Sequence, residues 1–123
     1  MIQLRTMLDV ADNSGAKIAQ MIGLPEKGNR MIAHIGDCIT VVVKKADPDG
    51  QIKNHTVCRA VIVRTRKEFR RPDGSYIRFD NNACVILDAK TKEPKGSRIF
   101  GPIARELKAL GYNKIISLAE EIY

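Results

Sequence analysis

Residues 60–86 read AVIVRTRKEFRRPDGSYIRFDNNACVI, and this stretch decides the fold class. It opens on an apolar run, Ala60-Val61-Ile62-Val63, and closes on another, Ala83-Cys84-Val85-Ile86. Between them a basic arm turns at Pro72-Asp73-Gly74 and returns through Tyr76-Ile77-Arg78-Phe79. β-Branched runs punctuated by Pro, Asp and Gly are the pattern of strand, hairpin and strand. Residues 59–78 carry Arg59, Arg64, Arg66, Lys67, Arg70, Arg71 and Arg78 against Glu68 and Asp73, or +5 of the chain's net +7. A hairpin so charged repels itself unless a polyanion covers it, and nucleic-acid phosphate is the natural candidate.

With Asp73-Gly74 as a two-residue loop, Arg71 faces Tyr76 and Phe69 faces Arg78. That register predicts one face of Lys67, Phe69, Arg71, Tyr76 and Arg78, and another of Arg66, Glu68, Arg70, Ile77 and Phe79; a longer loop would break it. Cations interleaved with rings suit phosphate neutralisation combined with base stacking. The plainer reading is a solvated hairpin whose aromatics pack on the body, and the one-sided charge argues against it.

Outward from this stretch, further strands are expected at 7–11, 17–24, 38–45 and 56–64, with a polar loop over 25–30 and a hairpin turn at Pro48-Asp49-Gly50 leading to Ile52. Five or so strands at this spacing suggest a small barrel or sandwich. Val41 to Val43 and Val61 to Val63 are apolar at consecutive positions, so both faces of those strands should be covered. The last quarter changes character. Pro102 suits the first position of a helix, Ile103, Leu107 and Leu110 recur at helical spacing, and Gly111 is placed to end it. A shorter helix is expected from Asn113 through Ile115, Ile116 and Leu118. The 123 residues are read as one domain: a β part over about 1–100 that includes the hairpin at 64–80, and a helical part over about 101–123.

Other basic positions extend the expected phosphate footprint. Lys17 follows Asn13-Ser14-Gly15, Lys44 and Lys45 end a strand, and Lys95 and Arg98 flank Gly96 in a turn where backbone can approach a phosphate. Each alone is equally an ordinary solvated side chain. Chemistry is less well provided. Cys38, Cys58 and Cys84 form no CxxC and sit in apolar runs, as small hydrophobes do in a reducing compartment. His34 and His55 lack partners at metal-ligand spacing, so neither a metal nor another cofactor is expected. Gly36-Asp37-Cys38 resembles a nucleophile turn only loosely, and a structural thiol is the better reading. The start of the chain shows no signal-peptide pattern and no run has the length of a membrane span, so an intracellular protein without a membrane partner is expected.

These motifs together closely resemble the L-fourteen family of large-subunit ribosomal proteins. The resemblance rests on Ala60, Val61-Ile62-Val63, Asp73-Gly74, Phe79, Asn82 and Val85-Ile86 in order and spacing. It is extended by Val10-Ala11-Asp12-Asn13-Ser14-Gly15-Ala16, Ile35-Gly36-Asp37, Arg98-Ile99-Phe100-Gly101-Pro102-Ile103-Ala104-Arg105-Glu106-Leu107 and Lys114-Ile115-Ile116-Ser117-Leu118-Ala119. It implies a mainly β protein: a small closed five-stranded β-barrel with a protruding basic β-hairpin and short C-terminal α-helices. It also implies a non-enzymatic constituent of the large ribosomal subunit that binds large-subunit rRNA and meets small-subunit rRNA at intersubunit bridges. Neighbours of the L-three and L-nineteen families are implied, as is a ribosome-silencing factor whose contact would fall on Ser97, Arg98 and Lys114. The location implied is a bacterial cytoplasmic ribosome or the ribosome of a mitochondrion or plastid. A free oligonucleotide-binding barrel and a cysteine enzyme are the competing expectations.

Overall fold

The computed structural model describes residues 2–24, 31–88, 91 and 93–123, so the expected loop at 25–30 lies outside the described residues. In chain order the elements are β1 (Met7–Val10), β2 (Ala16–Gly23), β3 (Cys38–Ala46), β4 (Val57–Arg64), β5 (Phe69–Arg70), β6 (Tyr76–Ile77) and β7 (Ala83–Leu87). There follow β8 (Pro102–Ile103), α1 (Glu106–Ala109), α2 (Asn113–Leu118) and β9 (Glu121–Ile122). Five strands close a barrel in the order β1-β2-β3-β4-β7, and β5 with β6 forms a separate two-stranded sheet. Every barrel pairing is antiparallel except the closing one, where β1 runs parallel to β7 with Asp9 opposite Ala83. Closure removes the unpaired edges that an open sheet would expose.

Period-two alternation fills the barrel: Leu8, Met21, Ile39, Val41, Ile62 and Ile86 belong to the interior cluster. The neighbouring positions Val61, Val63, Val85 and Leu87 point outward, where Ile103, Leu107, Tyr112 and Ile115 cover them. That second cluster explains the consecutive apolar residues of β4 and β7, because both faces are buried there. β3 departs from the expectation. Val41 and Val43 are buried, but Val42 between them is only half-buried, since the C-terminal helices cover the β4–β7 side of the barrel instead.

Two expectations are corrected. Pro102 and Ile103 do not open a helix; they are extended and pair in parallel with Glu121 and Ile122. Their carbonyls are committed elsewhere: Pro102 O accepts from Arg64 Nη1 at 3.0 Å and Ile103 O from the Tyr123 amide at 2.9 Å. α1 therefore starts only at Glu106, while Gly111 just beyond it has φ +95° and α2 falls where expected. The turn at Pro48-Asp49-Gly50 forms, with the Gly50 amide donating to Asp47 O at 3.2 Å. It does not lead straight into a strand, because Ile52 leaves the sheet to bury its side chain in the barrel core.

Candidate nucleic-acid interface

The hairpin pairs Phe69 with Ile77 and Arg70 with Tyr76, one position away from the expected register. The Arg71 amide donates to Ser75 O at 2.8 Å and the Gly74 amide to Arg71 O at 2.9 Å. The loop is thus three residues, Pro72-Asp73-Gly74: a β-turn followed by Gly74 at φ +90°, where a side chain would be strained. Asp73 holds the turn by accepting from the Ser75 amide and hydroxyl at 3.0 and 2.7 Å, and these bonds keep its carboxyl below the ordinary value. A one-residue slip exchanges which side chains share a face. Phe69 and Ile77 now turn inward and, with Phe79, pack on the barrel core. Arg70, Tyr76 and Arg78 are exposed. The predicted mixed face is replaced by an apolar inner face and a cationic outer one with a single ring.

Two of the hairpin arginines do other work. Arg64 is only 8% exposed. Its Nε donates to Asn81 Oδ1 at 3.1 Å, and its Nη1 donates to the carbonyls of Phe100 and Pro102 at 2.9 and 3.0 Å. Burial lowers its pKa and the Asp9 charge opposes that shift. Asn81 in turn donates through Nδ2 to Asp9 Oδ2 at 2.8 Å. Arg71 reaches sideways to Glu106, Nε to Oε1 and Nη2 to Oε2, and also to the Tyr123 carbonyl. With Arg105 3.6 Å from Asp73, the hairpin tip is tied to α1 at two points. No periodicity distinguishes Arg64 and Arg71 from Arg66, Arg70 and Arg78 in the sequence, because their acceptors lie from 17 to 52 residues downstream.

The remaining cations fall into separate groups. Arg66 is exposed, its amide fixed by Asn82 Oδ1 at 2.8 Å, and Lys67 pairs with Glu68 at 2.8 Å. Lys44 and Lys45 are exposed, Lys17 lies 3.5 Å from Asp47, and Arg59 is half-buried on β4. Val42 opposes Val57, so Lys44 and Lys45 lie beyond the start of β4, whereas the hairpin leaves its end. A strand of eight residues separates the two by roughly 25 Å. Lys95 is exposed near Cys58, whose thiol burial raises while the Lys95 charge opposes. The close approach expected at Gly96 is made by protein. A Cβ there would stand 2.7 Å from Asn13 Oδ1, which accepts from the Ser97 and Arg98 amides at 2.8 and 3.1 Å. Asn13 Nδ2 donates to Ser97 Oγ at 3.1 Å, the Arg98 guanidinium lies 5.8 Å from the Phe100 ring centre, and Lys114 is 3.6 Å from Glu93. Sequence reasoning gave Asn13, Asn81 and Asn82 no organising role, although Asn13 and Asn82 stand in the motifs that carry the resemblance.

Cys38, Cys58 and Cys84 stand in no disulfide, and burial pushes the Cys84 thiol far above its ordinary range, the opposite of what a thiolate nucleophile needs. Among the described residues no cluster of three or more His, Cys, Asp or Glu could hold a metal ion, and no helix is long and apolar enough to cross a membrane.

A closed small barrel with a cationic outer face and turns pinned by buried polar side chains is an RNA-binding type of scaffold. The family model described as ribosomal protein L14p/L23e matches the whole chain, residues 1–123. The protein belongs to that family of structural, non-enzymatic, rRNA-binding proteins of the large ribosomal subunit, and its place is the ribosome.

Proposed function

We propose that the outer face of the hairpin, Arg66, Arg70, Tyr76 and Arg78, holds folded large-subunit rRNA, and that Lys17, Lys44, Lys45, Arg59, Lys95 and Arg98 extend the contact along the barrel. The observation that carries this reading is the division of the hairpin: its apolar side chains are spent on the core, leaving Arg66, Arg70 and Arg78 exposed with no ion pair among the described residues, although the Arg78 charge acts on Glu68. Arg64 and Arg71 serve as positioning residues, and Lys67 contributes less because Glu68 holds it. The rigid hairpin and C-terminal helices suit a role at the intersubunit face, bridging to small-subunit rRNA beside neighbours of the L-three and L-nineteen families. Ser97, Arg98 and Lys114 are the surface on which a ribosome-silencing factor would act. A free single-strand binder is disfavoured: Phe69 is half-buried and Phe79 and Tyr112 are buried, which leaves few rings for a stacking platform.

The test is incorporation. Arg70→Glu with Arg78→Glu should leave the fold intact and reduce co-sedimentation with large subunits in a gradient. Normal incorporation of that variant would remove the hairpin from the rRNA contact.

A further inference from the structure

We propose that the cleft at the root of the hairpin takes one unstacked guanine nucleotide of RNA, an assignment that rests on the RNA-binding role above. The cleft lies between segments 77–81 and 101–102, with Arg64 and Tyr123 completing its lining, and has a volume of about 500 Å³. That falls within the range of sites that enclose small ligands, about 300–1,000 Å³. Of its lining, Arg78 alone also belongs to the hairpin's outer face.

Its chemistry comes from a donor left over. A guanidinium carries five N–H groups. Arg64 uses three, one on Nε and two on Nη1, and Nη2 has no acceptor among the described residues. Yet among the described residues no buried side-chain nitrogen or oxygen is without a partner, so Nη2 is reached by solvent, and the cleft is the opening that Arg64 lines. Nη2 sits on a guanidinium otherwise fixed by Asn81 and two backbone carbonyls, and its two N–H groups diverge from one nitrogen, so they meet two adjacent acceptors as a bifurcated contact and not as a fork. Guanine offers two acceptors, O6 and N7, on a single edge, whereas adenine sets an amino donor beside its N7 and cytosine offers an amino donor. Asp80 lines the same cleft and is exposed, supplying an acceptor for the guanine amino group. Tyr123 and Arg78 supply a ring and a guanidinium plane on which an unstacked base can lie. Bare phosphate would satisfy Arg64 but leave the apolar lining of Ile77, Phe79 and Pro102 uncovered, which favours a base.

Titration of the full chain with guanosine, adenosine, cytidine and uridine 5′-monophosphates and with ribose 5-phosphate, followed by amide and Arg Nε–H resonances, tests this. The expected result is movement at Arg64, Asn81, Gly101 and Tyr123, with guanosine monophosphate bound at least about fivefold more tightly than the others, the low end of a base-edge pair. Asp80→Ala, an exposed substitution, should reduce that preference without unfolding the protein. Equal responses to guanosine monophosphate and ribose 5-phosphate would reduce the cleft to a phosphate site and overturn the proposal. Movement confined to Arg66, Arg70 and Tyr76 would overturn it too. Binding of folded large-subunit rRNA, measured in parallel, separates the failures: retained with an inert cleft, the cleft alone falls; lost with an active cleft, the rRNA face falls.

Discussion

Asp12 is a carboxylate 5% exposed that accepts three hydrogen bonds, from the Ser14 amide and hydroxyl at 3.1 and 2.6 Å and from the Ile86 amide at 3.0 Å. It joins the turn after β1 to β7 at the seam of the barrel. Burial raises its pKa above the ordinary value although all three bonds pull it down. A carboxyl whose folded pKa is raised contributes most to stability below its unfolded pKa, and that contribution is lost as pH rises through the folded value. Asp12→Asn cannot titrate and turns an amide nitrogen toward either Ser14 or the Ile86 N–H. The variant should lose about 1–3 kcal/mol in urea unfolding. The gap between wild type and variant should widen as the pH is lowered from about 7 to about 4. A gap that narrows on acidification would show that the bonds to the ionised form outweigh burial.

At the scale of the element, the hairpin is held by Arg71 and Glu106, whose side chains are 10% and 20% exposed, so little solvent screens them. Removing one partner leaves the other charge half-buried, whereas removing both relieves that cost. A double-mutant cycle of Arg71→Met and Glu106→Gln should therefore give a coupling of about 1–3 kcal/mol in unfolding free energy. Faster amide exchange at Phe69 and Ile77 in either single variant should accompany it. A coupling near zero would mean the pair is incidental to the hairpin's position. The same element marks where the sequence was legible. Strands β1 to β4 and β7 were readable because apolar, largely β-branched runs lie between turn signals rich in Gly, Asp and Pro. The hairpin's existence was readable from Pro72-Asp73-Gly74, but its register was not, since those residues serve a two-residue and a three-residue loop alike. β8 and β9 are two residues each and exist only through pairing across the fold, so Pro102 read locally pointed to a helix. Arg70 and Arg78 were singled out from charge alone, and both side chains are exposed. Arg64 and Arg71 carry the same charge and differ only in where backbone carbonyls and Glu106 happen to lie.

Over the whole molecule, the exposed cations of the hairpin and the pair Lys44 and Lys45 stand at opposite ends of β4. A rigid barrel makes that separation fixed. One folded RNA spanning both ends would neutralise both patches at once, while short strands would reach only one. Each phosphate contact releases counterions, so the salt dependence of affinity counts the contacts. Arg70→Gln at the hairpin and Lys44→Gln at the opposite end should each reduce the slope of log K against log salt for folded large-subunit rRNA by about one unit, and the double variant by about two. The Arg71→Met variant should change the slope little, because its charge already faces Glu106 and not solvent. With an oligonucleotide too short to span roughly 25 Å, each single substitution should lower the slope only in the complexes seated at its own end, so the two reductions would no longer add. Additivity on folded RNA lost on short RNA would identify the barrel as a rigid spacer between two phosphate clamps. Additivity on both would mean the two patches act independently and the barrel's length sets nothing.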